Sequence, residues 1–278
     1  MATKKAVSKS STSKKPKVSV SSSTVKATTV KSVVAPKSSW LSRLPLNRTP
    51  LIAALIAEFI GTFMLAAVMI AGQGQPIILL FGIAGIVLLI GTLSGAHINP
   101  AITIAAWITR RITGLRALGY IVAQFLGAGL AFAILTAFVN GAAEVSAQAA
   151  AYGQTAAVLF QVTALPEGKE WFVFFAELLG ATIFGFALAN ALREKRDRVA
   201  AALTVGFGLF VALLIAASAV AFVGGNIAVL NPAVALSLGA LKFETWSLAI
   251  YILAPIIGAV VGFILHDAMR VADDVTND

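Results

Sequence analysis

Two short stretches carry the polar groups that can do chemistry in an otherwise apolar chain. Residues 94–101 read Ser-Gly-Ala-His-Ile-Asn-Pro-Ala, and residues 225–233 read Gly-Asn-Ile-Ala-Val-Leu-Asn-Pro-Ala. Asn is a good helix N-cap and Pro a good first helical residue. One Asn-Pro-Ala therefore marks little more than a helix start. Two copies, Asn99-Pro100-Ala101 and Asn231-Pro232-Ala233, each lie in the second half of their own group of hydrophobic spans and precede a short apolar run. That is a repeated device. Helix N-termini carry roughly half a positive charge and free N–H donors, which can hold the oxygen of a polar solute. Glu58 and Glu177 fall inside apolar stretches, where carboxylates ordinarily serve proton relays or ion sites. His97 stands two residues before Asn99. The chain has no cysteine, and its histidines are His97 and His266 alone. Thiolate chemistry and disulfides are excluded, and neither a metal site nor a cofactor is expected.

These residues need an apolar frame to position them, and the composition supplies one. Hydrophobic residues make up 59% of the 278, with a mean hydropathy of +0.91, unlike a soluble domain of this length. The formal net charge of +9 is local in origin. Residues 1–49 hold nine Lys, two Arg and no acid, which leaves ten basic against twelve acidic residues in the remainder. This Ser/Thr/Lys-rich segment has too little apolar material to fold. It lacks the short apolar core and cleavage site of a signal peptide. It reads as a solvated cytoplasmic tail or as a tether to anionic membrane lipids, where each basic residue contributes roughly 1 kcal/mol. With Trp40 as its one aromatic and no motif, it gives no case for a nucleic-acid partner.

Six stretches are long enough to span a bilayer: 51–71, 76–93, 115–139, 171–192, 199–223 and 246–269. A hydrocarbon core of ~30 Å takes about 20 helical residues. The runs 99–109 and 231–241 reach only about half way, at roughly 16 Å of helix each. Half-helices in matching places of two halves point to a site at the bilayer midplane. The halves match by spacing. Ala57-Glu58-Phe59-Ile60-Gly61 and Ala176-Glu177-Leu178-Leu179-Gly180 are 119 residues apart, and Asn99 and Asn231 are 132 apart. Ala123-Gln124-Phe125-Leu126-Gly127-Ala128 and Ala254-Pro255-Ile256-Ile257-Gly258-Ala259 are 131 apart. With three spans per half, the second half enters from the opposite face. The expected architecture is an all-α membrane protein with six transmembrane helices and two re-entrant half-helices in an inverted repeat. Its divisions are the basic tail 1–49, a first repeat 50–140, an extracellular link 141–170, a second repeat 171–269, and a short acidic tail 270–278. Basic clusters at 110–116 and 193–198 fall on the side of the first tail, which puts both termini in the cytoplasm of a plasma-membrane protein.

Over roughly residues 50–268 these motifs resemble the major intrinsic proteins, the aquaporin and glycerol-facilitator family. The resemblance implies a passive channel for water and small uncharged solutes such as glycerol, assembled as a homotetramer and excluding protons and ions. It implies that Asn99 and Asn231 meet at mid-membrane and orient passing water, and that Glu58, Glu177 and His97 brace the re-entrant loops. The family usually carries Arg directly after the second Asn-Pro-Ala; Val234 stands there. Counting back from the two Asn residues puts the other constriction positions at Leu79 or Phe81, at Ala219 or its neighbours Ala217 and Ser218, and at Val229. All are apolar but Ser218, so the filter is expected to lack a fixed charge and to be wide unless Phe81 closes it. Two readings compete with the channel: an ion- or proton-coupled transporter, since inverted repeats also build those, and an intramembrane enzyme using Glu58, Glu177 or His97. The enzyme reading lacks a nucleophile–base pair.

Overall fold

The computed structural model describes residues 49–142, 144–164 and 167–276. Residues 1–48, and with them the tether reading of the basic segment, lie outside these. In the first half, α1 (Thr49–Ala71) and α2 (Pro76–Ser94) are followed by the half-helix α3 (Pro100–Ile108) and by α4 (Gly114–Asn140). The link holds a short helix that the sequence did not announce, α5 (Ala147–Ala151). The second half repeats the order: α6 (Glu170–Ala191), α7 (Arg198–Phe222) and the half-helix α8 (Pro232–Ser237). It closes with α9 (Thr245–Leu248), a wide turn at Ala249–Leu253, and α10 (Ala254–Thr276). Among the described residues six spans are long and apolar enough to cross a membrane.

The packing obeys the repeat. Helix α1 lies on α4 and α2, while α6 lies on α10 and α7. Each half-helix crosses to the other repeat, α3 onto α10 and α8 onto α4, and α2 against α7 closes the ring. Small residues set the approach. A Cβ on Gly127 would meet the Phe59 carbonyl of α1, and one on Gly258 the Leu178 carbonyl of α6. Gly262, four residues after Gly258, stands equally close to the Thr182 carbonyl, and small residues so spaced let two helices approach closely. The lipid-facing sides carry large apolar residues such as Leu89, Phe138 and Phe222.

Three elements depart from the expected bounds. Helix α8 has six residues rather than the eleven of the apolar run, because the chain turns at Leu238 and takes a left-handed φ of +67° at Gly239. The last span is not continuous. Pro255 has no N–H, and just before it the Ala254 N–H reaches back five residues to the Ala249 carbonyl, a one-turn widening of the helix. Helix α10 then continues to Thr276, past the expected start of the acidic tail at residue 270.

Candidate functional site: the crossing of the two half-helices

Asn99 and Asn231 cap their half-helices and also tie them together. The Asn99 Oδ1 accepts from the Ala101 N–H at 2.8 Å, and the Asn231 Oδ1 from the Ala233 and Val234 N–H groups at 3.0 and 3.3 Å. Their amide nitrogens cross over. Asn99 Nδ2 donates to the Leu230 carbonyl and Asn231 Nδ2 to the Ile98 carbonyl, each at 2.9 Å. An amide has two N–H donors. One is used in this reciprocal pair, and the other remains for a passing oxygen.

The residues that present those carbonyls are held in an uncommon backbone region. Ile98 and Leu230 have φ of 42° and 58°, and Ala96 has 50°. Left-handed backbone at a bulky residue costs of order 1–3 kcal/mol unless its surroundings over-determine it. Here they do. Glu58 accepts from the His97 N–H at 2.9 Å and the Ile98 N–H at 2.6 Å. Glu177 accepts from the Val229 N–H at 2.6 Å and the Leu230 N–H at 2.7 Å. Each carboxylate thus spends both oxygens on two consecutive loop N–H groups. The glycine one turn on from each acid, Gly61 or Gly180, leaves room for the Ile98 or Leu230 side chain, which a Cβ there would meet.

The first half adds contacts that the second lacks. Gln124 Nε2 donates to Glu58 Oε2 at 2.7 Å and to Thr103 Oγ1 at 2.9 Å. Pro255 occupies the matching place on α10. The Tyr120 hydroxyl donates to the Ser94 carbonyl at 2.9 Å, and its ring lies 5.3 Å from that of His97. The His97 Nδ1 is buried without a hydrogen-bond partner, 3.9 Å from Glu58 Oε1. Gln124 entered the sequence reading only as part of the repeat, and Thr103 and Tyr120 not at all, although a Gln inside an apolar span is itself a signal.

The two Asn residues border a narrow space of about 10 Å³, roughly what one water needs. Val229 and Val234 line it, together with Leu65, Met69, Ile83, Phe184 and Leu209. Leu65 and Phe184 could have been found by spacing, since each lies seven residues, two helical turns, after Glu58 or Glu177. The expected filter residues are thus only partly brought together. Leu79 is fully buried but does not border the space; Ile83, one turn on, does. Ala219 packs half-buried against the core. Phe81 is a correction: it is 67% exposed on the opposite side of α2 from Leu79 and Ile83, so it cannot close the passage. At this level aliphatic and aromatic side chains from α1, α2, α6 and α7 border the space. Among the described residues no group of His, Cys, Asp and Glu could hold a metal.

Comparison with known proteins agrees with this geometry. The Major intrinsic protein family profile matches residues 45–266. The Glycerol uptake facilitator protein-like 6 of Lactiplantibacillus plantarum is 37% identical over 218 residues, which cover 74% of this chain and 92% of that protein. Aquaporin AqpM of Methanothermobacter marburgensis is 31% identical over 76% of this chain and 94% of its own length. The X-ray structure of the aquaglyceroporin from Plasmodium falciparum shares the fold, with a TM-score of 0.57 at 22% identity, over 78% of this chain and 96% of that one. Six spans, two crossed half-helices and these matches lead to one conclusion: the chain belongs to the major intrinsic protein family and is a membrane channel, not an enzyme.

Proposed function

We propose that the channel passes water and small uncharged solutes such as glycerol, and excludes protons and ions. The observation that carries this reading is the reciprocal pairing of Asn99 with the Leu230 carbonyl and Asn231 with the Ile98 carbonyl. It fixes both amides at the small space between the half-helices and leaves one N–H on each for the oxygen of a solute. A water held by its oxygen toward two donors points its protons away from both, and cannot relay a proton through that point. The positive ends of α3 and α8 face the same place and raise the energy of any cation there. The Leu65, Met69, Ile83, Phe184 and Val234 walls offer a dehydrating ion nothing in return.

Glu58 and Glu177 act as loop braces in this reading rather than as proton carriers, since all four carboxylate oxygens are taken by loop N–H groups. The relatives' names support glycerol as well as water among the solutes. Met69, unbranched and adaptable, is the wall residue best able to give way to a larger molecule. The basic links α3–α4 and α6–α7 support cytoplasmic termini in a plasma membrane, and the family supports a homotetramer. The test is stopped-flow light scattering on proteoliposomes, comparing water, glycerol and urea, with an internal pH dye. The reading requires fast osmotic flux of low activation energy without an ion gradient and without proton leak. Flux that depends on an ion gradient would replace it with a coupled transporter.

A further inference from the structure

Outside the narrow passage, four cations meet at one mouth. The α3–α4 link, the α6–α7 link and α10 bring Arg111, Arg193, Lys195 and Arg270 around a vestibule of about 600 Å³ whose wall includes Ser94, Gly95 and His97. Membrane topology accounts for basic residues on this side. It does not account for their convergence on one cavity from three separate elements. Arg111 and Arg193 both donate to a single oxygen, Asp267 Oδ1, at 2.7 and 2.9 Å, and His266 Nδ1 stands 3.3 Å from the same atom. Arg111 is fixed further, by donating to the Ala189 carbonyl at 3.0 Å and by lying 4.7 Å over the Phe263 ring. Lys195 makes no ion pair among the described residues. Asp273 and Asp274 follow Arg270 closely in the sequence. Glu194 is near, but its Oε1 already accepts the Arg196 and Asp197 N–H groups at 2.6 and 3.0 Å. Among the described residues Asp267 is thus the one acid that forms ion pairs with these four cations, and the residues that line the cavity include no acid. Behind them, the 3%-exposed His97 keeps an unpartnered Nδ1.

We infer that this vestibule binds a phosphate monoester, a small phosphorylated metabolite whose occupancy obstructs the pore. The obstruction rests on the channel reading above; the binding does not. Guanidinium forks match the terminal oxygens of a phosphate, and a lysine adds a movable point charge. The volume far exceeds that of inorganic phosphate and falls in the range of small-molecule pockets. His97 borders both the vestibule and the narrow space, so a ligand seated among the cations stands in the path of solute. A lipid phosphate shares the chemistry. Its wall includes His97, which also borders the narrow space between the half-helices, and a place on the solute path favours a soluble ligand.

The test uses the full chain in proteoliposomes of zwitterionic lipid, with glucose 6-phosphate or glucose present equally on both sides. Glucose 6-phosphate should lower glycerol and water flux saturably, and glucose should not. Lys195→Gln should weaken the apparent affinity about tenfold, the scale of one charge-assisted hydrogen bond. Asp267→Asn, which removes the competing charge from Arg111 and Arg193, should tighten it. Each variant is compared with its own unliganded flux. Calorimetry of glucose 6-phosphate on the solubilised wild-type chain, at low and high salt, reads binding without flux and does not depend on the variants folding. Salt-sensitive binding to a protein that passes no solute would keep the site and sink the channel reading. Equal effects of glucose and glucose 6-phosphate, or no binding in the calorimeter, would overturn the proposal. So would block by phosphatidic acid added to the vesicles with none by glucose 6-phosphate, which would assign the site to lipid.

Discussion

At the residue scale, Val234 and Glu177 make the sharpest predictions. Val234 is fully buried on the first turn of α8 and borders the narrow space with Asn99 and Asn231. Val234→Ala removes methyl groups from the wall of a space of about 10 Å³, and should raise glycerol permeability several-fold relative to water. Val234→Arg inserts a long side chain with a permanent charge. It should depress glycerol flux more than water flux. The ratio of the two permeabilities at matched protein density is the readout, and an unchanged ratio in both variants would remove Val234 from the constriction. Glu177 is a different kind of residue, since its oxygens accept two buried N–H groups and have no side-chain donor like Gln124 to re-pair with. In Glu177→Gln one of those donors would face an amide NH₂. Leaving a buried N–H unmade costs about 1–3 kcal/mol, so the melting temperature should fall and water flux per molecule with it. Unaltered melting would mean that the second loop holds its left-handed Leu230 without the carboxylate.

At the scale of elements, the half-helices work because the long helices approach one another closely. The glycines divide into two groups. Gly127 stands against the backbone of Phe59 and Phe63, whereas nothing lies within 4 Å of a Cβ built on Gly129 of the same helix. Gly127→Ala should force α1 and α4 apart and destabilise by roughly 1–3 kcal/mol, the usual cost of overpacking. Gly129→Ala meets no obstacle and should leave melting unchanged or raise it slightly, since Ala is the better helix former. Thermal unfolding of the two variants side by side decides the point; equal behaviour would show that the α1–α4 contact is not set by that glycine. The break at Ala249–Leu253 belongs to this scale too, since Pro255 dictates it locally while α9 and α10 still complete one span.

For the whole molecule, the prediction concerns sidedness and the basic segment. The first span begins at Thr49, so residues 1–45 precede everything that lines the passage. Their removal should leave water flux per molecule nearly unchanged. Protease added outside sealed cells should spare the Lys-rich stretch at 14–17. Cleavage there would invert the topology, and loss of flux on truncation would make the segment a gate.

What the sequence determined by itself was the architecture. Spans of about 20 apolar residues, two runs half that length, and matched spacings of Glu58 with Glu177 and Asn99 with Asn231 are one-dimensional signals. Hydrocarbon thickness and backbone hydrogen bonding leave few folds that satisfy them. The Asn-Pro-Ala motifs and both acids were legible for the same reason, as polar residues that an apolar span does not otherwise tolerate. The wall of the passage was not legible. Leu79 and Ile83, or Phe81 and Leu89, are alike in the sequence, and only the packing of α2 against α1 and α7 turns one pair inward and the other to lipid. The surroundings of Val234 likewise depend on side chains that arrive from four helices, which no count from a motif can sum. The pairing of Asn99 with the Leu230 carbonyl, across 131 residues, exists only once the two halves cross. So does the convergence of Arg111 and Arg193 on one oxygen of Asp267. Charge pattern put those arginines on one face of the membrane, and the fold alone brought them within 3 Å of the same atom.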